Sequence, residues 1–335
     1  MNKRIKTYCP LIFWFILLAA CHQSKVGTDS LVLALSDSGT VSGIDFGQKA
    51  DVPVVAYTTL TGCKQQSGTK RIDERGYMTF ERIFEDSAKN TCKVIDRFSK
   101  VPGAVIWEVE VQGSGKPWTT GINTVVNYPA TEQSACWTTW SAMEKSNGQW
   151  RDPLRPKPFE NLHLTYGGGE ILDPNSMVIP MISVFENDGR TGFTVLQSLQ
   201  DTILDLSLIT DTAGRMVFKR ENHKISREST VRFKMHLFSH GLDWRSGLDF
   251  CTKTYPQYFN AVSKQTDRVA GGAAYSSWEG ALDTAKLNQM GFKFNWKATF
   301  DFPYMGMFLP EVASTSERWE RFHQGGVKVG GIYVC

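Results

Sequence analysis

The chain has 335 residues, 37 Lys and Arg against 34 Asp and Glu, and 12% aromatic side chains. That length suits two compact domains better than one. Three of the cations, Lys3, Arg4 and Lys6, lie in the first six residues; without them the signs balance at 34, and no basic run is left to support nucleic-acid binding.

Those cations precede a short apolar run, residues 11–20, and then Leu18-Ala19-Ala20-Cys21, a bacterial lipoprotein cleavage box. The run is too short for a membrane span of about 20 residues. Residues 1–20 are therefore expected to be a signal peptide, and residues 21–29 a tether with lipid on Cys21. The chain is expected to be exported and lipid-anchored to a bacterial membrane, most simply the outer membrane, facing the periplasm or the cell surface. An exported compartment permits disulfides, and Cys63 with Cys92 is the first pair to test among Cys63, Cys92, Cys136, Cys251 and Cys335. There is no Cys-x-x-Cys pair and no third ligand spaced to join His236 and His240, so neither a metal nor another cofactor is expected.

Residues 30–241 read as a β-rich domain. The runs 31–35 and 41–46 flank Asp37-Ser38-Gly39-Thr40, a hairpin-type turn. Further strands are expected at 52–60, 77–84, 92–98 and 105–111, the last alternating in part as a half-buried strand does. After an irregular stretch, 127–169, come strands at 178–185, 191–199, 204–209, 215–220 and 230–238. Many short strands without a long helix indicate a large antiparallel β-sandwich. A helical linker, 242–270, follows, with Asp243 placed to cap its helix and Pro256 to bend or end it. Residues 271–335 then alternate strand and helix, the pattern of a parallel sheet, and end in what counts as the third strand. A closed barrel takes eight such units, so these residues are expected to be the opening of an incomplete TIM barrel.

All of the ten tryptophans except Trp14 lie beyond the signal segment. Flat aromatics stack on the C–H faces of sugar rings while polar neighbours read the hydroxyls. Trp137, Trp140 and Trp150, in the irregular stretch, are candidates for this role, and core packing is the plain alternative, as for Trp107. The densest motif, residues 294–306, ends a strand at Asp301, on the sheet edge where barrel enzymes hold substrate. Asp301 could accept from sugar hydroxyls between Trp296 and Tyr304, or could simply cap the following turn. Trp278 and Glu279 stand at the end of the preceding strand, where Glu279 is a ligand or a solvated loop carboxylate. Glu108 and Glu110 share one strand face and are expected to meet solvent. No nucleophile elbow, phosphate loop or dinucleotide fingerprint is present.

Several stretches together resemble bacterial glycoside hydrolases of families 31 and 36. These are residues 31–46, 105–111 with Gly115-Lys116-Pro117-Trp118, the junction Trp244-Arg245-Ser246-Gly247-Leu248 with Tyr255-Pro256-Gln257-Tyr258-Phe259, and 274–310. The resemblance rests on architecture and element order. It implies a galactose-mutarotase-like β-sandwich leading into a (β/α)8 barrel, and retaining hydrolysis of an O-glycosyl bond by two carboxylates about 5–5.5 Å apart. Those carboxylates sit on later strands in such families, so no catalytic residue is carried onto this chain. Asp301 matches an early-strand acidic position that binds sugar hydroxyls. The expected partner is an oligo- or polysaccharide, and the chain is expected to be an inactive fragment of such a hydrolase. The competing reading is a non-catalytic carbohydrate-binding lipoprotein of a glycan uptake system.

Overall fold

In the computed structural model the described residues are 24–46, 52–74, 76–139, 155–166, 176–186, 192–201, 205–264, 272–276, 283–290 and 292–297. The first strands are β1 (Ser24–Gly27), β2 (Val32–Leu35), β3 (Val41–Asp45), β4 (Val55–Leu60), β5 (Cys63–Glu74) and β6 (Tyr77–Asp86). Next come β7 (Thr91–Val101), β8 (Ala104–Gly113), β9 (Trp118–Asn127), β10 (Ser134–Trp137), β11 (Lys157–Pro158) and β12 (Leu162–Tyr166). They are followed by β13 (Ser176–Met177), β14 (Met181–Glu186), β15 (Gly192–Gln197), β16 (Leu206–Thr210), β17 (Arg215–Ile225) and β18 (Thr230–His240).

These strands form two nine-stranded sheets. The first runs β1-β2-β3-β4-β9-β17-β16-β12-β13 and is antiparallel except for the last pair. The second, β11-β10-β14-β15-β18-β8-β7-β6-β5, is antiparallel throughout. The large antiparallel sandwich read from the sequence is therefore present.

Alternation decides which side chains meet between the sheets. From the first sheet come Ala56, Leu60, Ile122, Val126, Met216 and Phe218; from the second come Phe80, Phe98, Trp107, Val109, Phe233 and Leu237, all buried. Each of the Val, Leu, Ile, Met and Phe side chains contributes about 1.5–3 kcal/mol relative to exposure. Phe98 stacks on Trp107 with centroids 5.3 Å apart, and Phe98 also meets Phe80 edge-on at 6.2 Å.

The expected hairpin joins β2 to β3. Gly39 N–H donates to Ser36 O at 3.0 Å and Ser36 N–H to Thr40 O at 2.9 Å. Gly39 sits at φ 77°, where a side chain would be strained, and an added Cβ would press on Phe80. Three differences from the sequence reading have local causes. Part of the expected tether forms β1, which pairs with β2 and buries Val26 at the sheet edge. The 127–169 stretch contributes β10, β11 and β12. The polar segment Cys63–Glu74 is a full strand, because an edge strand needs no apolar face and pairs with β6 alone. A bulge interrupts that pairing between Gln65 and Thr69.

The chain divides into two units, Met1–Cys251 and Thr252–Cys335. The division falls inside α1 (Arg245–Thr254), which is followed by α2 (Pro256–Phe259) with Pro256 in its first turn. Asp243 does cap α1, accepting from Arg245 N–H at 3.0 Å. In the second unit β19 (Gly272–Ser276) pairs in parallel with β20 (Phe292–Lys297), and α3 (Thr284–Gln289) lies between them in sequence. Asp283 caps α3 through Lys286 N–H at 3.0 Å. This is one β-α-β unit; the helix and strand expected at 314–323 and 328–335 lie outside the described residues. Among the described residues no helix is long and apolar enough to cross a membrane, and the signal segment with Cys21 is outside them.

Candidate functional site

Strands β10, β14, β15 and β18 place one row of side chains on the outer face of the second sheet. The register sets Trp137 opposite Ser183, Ser183 opposite Thr194, and Thr194 opposite Phe238. In a sequence view Ser183 and Thr194 are polar residues flanked on both sides by apolar ones in their strands, and both are fully buried. Buried hydroxyls need partners, and here they form a chain. Ser183 Oγ lies 2.6 Å from Thr194 Oγ1, which lies 2.7 Å from His240 Nε2. His240 Nδ1 is 2.6 Å from Gly241 O.

Helix α1 covers this row. Phe250 stacks on Phe238 with centroids 3.9 Å apart and meets His236 edge-on at 5.9 Å. Gly247 lies against the hydroxyls: a Cβ there would come 2.7 Å from Ser183 Oγ and 2.9 Å from Thr194 Oγ1. Burial, and then Lys234, push His236 down to about 4. Burial also lowers His240, although the Gly241 carbonyl and Asp243 favour its charged form.

At the rim of this helix seat, Trp244 packs on Trp137 with centroids 4.6 Å apart and planes at 37°. Trp137 is buried, whereas Trp244 is half-buried. Beside it Arg245 grips Asp243 with Nε at 2.9 Å from Oδ1 and Nη2 at 2.6 Å from Oδ2. Each raises or lowers the other in the expected sense: the guanidinium holds Asp243 below its ordinary value, and the carboxylate lifts Arg245. The Arg245 guanidinium carbon is 5.9 Å from the Trp244 ring centre. A partly exposed indole next to an exposed donor and acceptor suits a ligand with one apolar face and several hydroxyls.

Two further charged clusters lie between the sheets and serve packing. Asp96 accepts from Thr58 Oγ1 at 2.7 Å and Trp107 Nε1 at 2.8 Å and pairs with Arg82. Arg220, fully buried, donates to Gln197 Oε1 at 2.9 Å, Thr124 Oγ1 at 3.1 Å and Phe218 O at 2.9 Å, and its guanidinium lies 3.7 Å from the Phe233 ring centre. Burial pushes Arg220 down to about 9, partly offset by Asp201.

The sequence candidates fall as follows. Trp137 belongs to the helix seat, where Trp244 covers it, so the ring left to solvent is that of Trp244. Trp296 is on β20, opposite Tyr275 in the register. Cys21, Trp140, Trp150, Trp278, Glu279, Asp301 and Tyr304 lie outside the described residues. Cys63 and Cys92 are free thiols rather than a disulfide. The physical reason is that β6 runs between their strands, and two strand spacings, about 9.6 Å, exceed the roughly 4.4–6.8 Å that a disulfide spans between Cα atoms. Glu110 does face outward with Glu108, but both are paired: Glu110 with Arg97 and Arg232, Glu108 with Lys234. Among the described residues no group of three or more His, Cys, Asp or Glu could hold a metal ion. Sequence reasoning missed Ser183, Thr194 and Trp244 as a cluster; the signal available was a hydroxyl residue set between apolar neighbours in each of two strands.

No family model matches the chain, and no curated protein matches it. Among solved structures it is similar to the α-N-acetylgalactosaminidase NagBb from Bifidobacterium bifidum, ligand-free, with a TM-score of 0.52 and 8% identity over 92% of this chain and 58% of that one. The GalNAc complex of that enzyme gives a TM-score of 0.50 and 9% identity over the same shares. A galactose mutarotase related enzyme from Lactobacillus acidophilus is matched over 66% of this chain and 98% of its own, with a TM-score of 0.41 and 6% identity. At such identities the likeness to NagBb is one of fold. The chain spans 58% of that enzyme's length.

Proposed function

We propose that the chain is an exported, carbohydrate-active protein related to retaining glycoside hydrolases, in which the sandwich is followed in sequence by a barrel-type region that begins near residue 271. The observation that carries this reading is the agreement in fold with an α-N-acetylgalactosaminidase over 92% of the chain. The exposed side of Trp244, beside Asp243 and Arg245, supports a sugar as ligand. The proposed anchor is lipid on Cys21, supported by Leu18-Ala19-Ala20-Cys21; palmitate labelling lost in Cys21→Ala is its test.

Retaining hydrolysis needs two free carboxylates about 5–5.5 Å apart. Within the described sandwich, Asp96 is tied to Arg82, Glu110 to Arg97 and Arg232, and Glu186 to Tyr128 and Ser134. A second reading, favoured by the half-buried Trp244 ring beside exposed Arg245 and Asp243, is binding of a glycan without cleavage. The test is the folded full chain on a glycan array and on an aryl α-N-acetylgalactosaminide, alongside Trp244→Ala. Array binding that Trp244→Ala weakens supports the sugar reading, and aryl release separates hydrolysis from binding. A folded chain that binds no glycan and releases no aryl group overturns both.

A further inference from the structure

The hydroxyl chain under α1 has a direction, and one atom sets it. Gly241 O can only accept, so His240 Nδ1 carries the proton in that 2.6 Å contact. In the neutral imidazole Nε2 is then an acceptor, so Thr194 donates to it, and Ser183 in turn donates to Thr194. A second proton on His240 would sit on Nε2. Thr194 would have to turn its hydrogen away from the ring, both hydroxyls would reverse, and a cation would stand in a half-buried position beneath the helix. A Cβ at Gly247 would come within 2.9 Å of both hydroxyl oxygens, so α1 lies directly over the chain that the charge would disturb.

The groups around the ring do little to stabilise the charge. On β18 the same face carries Phe238, tilted against His240 at 5.9 Å, and His236. Strand β14 presents Phe185 edge-on at 5.6 Å, while its Glu186 is held by Tyr128 and Ser134. Strand β15 brings Thr194. The turn into α1 brings Asp243, which is exposed and gripped by Arg245. The remaining charges of α1, Asp249 and Lys253, are exposed.

The geometry points to His240 as a pH-sensitive latch: neutral, it closes the hydroxyl chain beneath α1; protonated, it reverses the chain and sets a cation under the helix, which loosens the helix and frees Trp244 from Trp137. The latch holds above the ordinary histidine range and is lost as pH falls through the lowered folded-state value. The device stands independently of the carbohydrate reading.

The experiment is hydrogen exchange on the full chain between pH 7.5 and 4.5, corrected for intrinsic exchange, together with ¹⁵N-histidine spectra. The expected result is a neutral Nδ1–H tautomer for His240. With it comes a rise in exchange of the α1 amides as that resonance titrates, while β7 and β8 stay protected. His240→Gln should abolish the step, and His236→Gln should keep it. If His240→Gln does not fold, Thr194→Val, which removes the reversing hydroxyl at similar volume, should leave α1 exchanging fast at both pH values. The latch is overturned by an Nε2–H tautomer, by an unchanged step in His240→Gln or Thr194→Val, or by loss of protection in all strands together.

Discussion

Thr58 of β4 and Asp96 of β7 meet across the sandwich, hydroxyl to carboxylate, at 2.7 Å. They join the first sheet to the second at the place where Arg82 and the Trp107 indole also converge on Asp96. Arg82 is 3% exposed and Asp96 is fully buried, so neither charge can turn to water when the other is removed.

Asp96→Asn is expected to destabilise the fold by about 3–5 kcal/mol, because it leaves the Arg82 cation buried without its counter-charge. Thr58→Val removes one hydrogen bond to a charged group and should lose about 1.5–3 kcal/mol. Urea midpoints at constant m would check both. Equal losses in the two variants would contradict the assignment of the charge effect to Asp96.

His236 gives stability a dependence on acid. Its pKa is pushed from an ordinary 6.5 to about 4, first by burial and then by Lys234. In that window the unfolded chain binds the proton and the folded chain does not, so stability falls as pH drops from 6.5 to 4, by roughly 3 kcal/mol. His236→Gln should remove the share of this slope that His236 carries, leaving that of His240, which burial also lowers. Unfolding free energies of both proteins at pH 7 and pH 4 give the comparison.

Cys92 acts at the other end of the scale. Burial, with smaller effects of Cys63 and Asp86, lifts its thiol from 9.0 to about 12. The unfolded chain then loses the proton first, so the contribution present below pH 9 is lost as pH rises, on the order of 1 kcal/mol per pH unit. Cys92→Ala, though weaker at neutral pH through its lost packing, should lose less between pH 8.5 and 10 than the wild type does.

Gly247→Ala tests the closeness of α1 to the second sheet. The added methyl would press on Ser183 Oγ, Met181 Cε and Thr194 Oγ1 at 2.7–2.9 Å. Overpacking of this kind costs about 1–3 kcal/mol, and it should appear as faster exchange in α1 and as altered near-ultraviolet signal from Trp137 and Trp244. Protection in β7 and β8 should stay as it is.

The strands that were legible in the sequence are those with one apolar face. Residues 105–111 alternate, and they are the heart of β8; Asp37 to Thr40 carry turn chemistry, and they turn. The strands that were not legible have polar residues for tertiary reasons. Thr120 and Thr124 of β9 are buried and hydrogen-bonded, Thr124 to the equally buried Arg220, so local composition reads as a loop. The sandwich half of the site was hidden for a related reason. Periodicity puts Ser183 and Thr194 on one face, but only the strand order brings them beside Trp137, and only the return of α1 shows what covers them. Asp243 was the exception, since a helix cap is set by its immediate neighbours.

Strand β5 closes the second sheet on one side with Lys64, Gln66, Lys70, Arg71 and Asp73 exposed and with its pairing interrupted between Gln65 and Thr69. A second copy trying to add there would meet repelling cations and a break in the ladder of backbone donors and acceptors. Growth of the sheet from molecule to molecule is therefore stopped at this edge by side-chain charge and register, so crowding many copies together would not by itself seed cross-β assembly from β5.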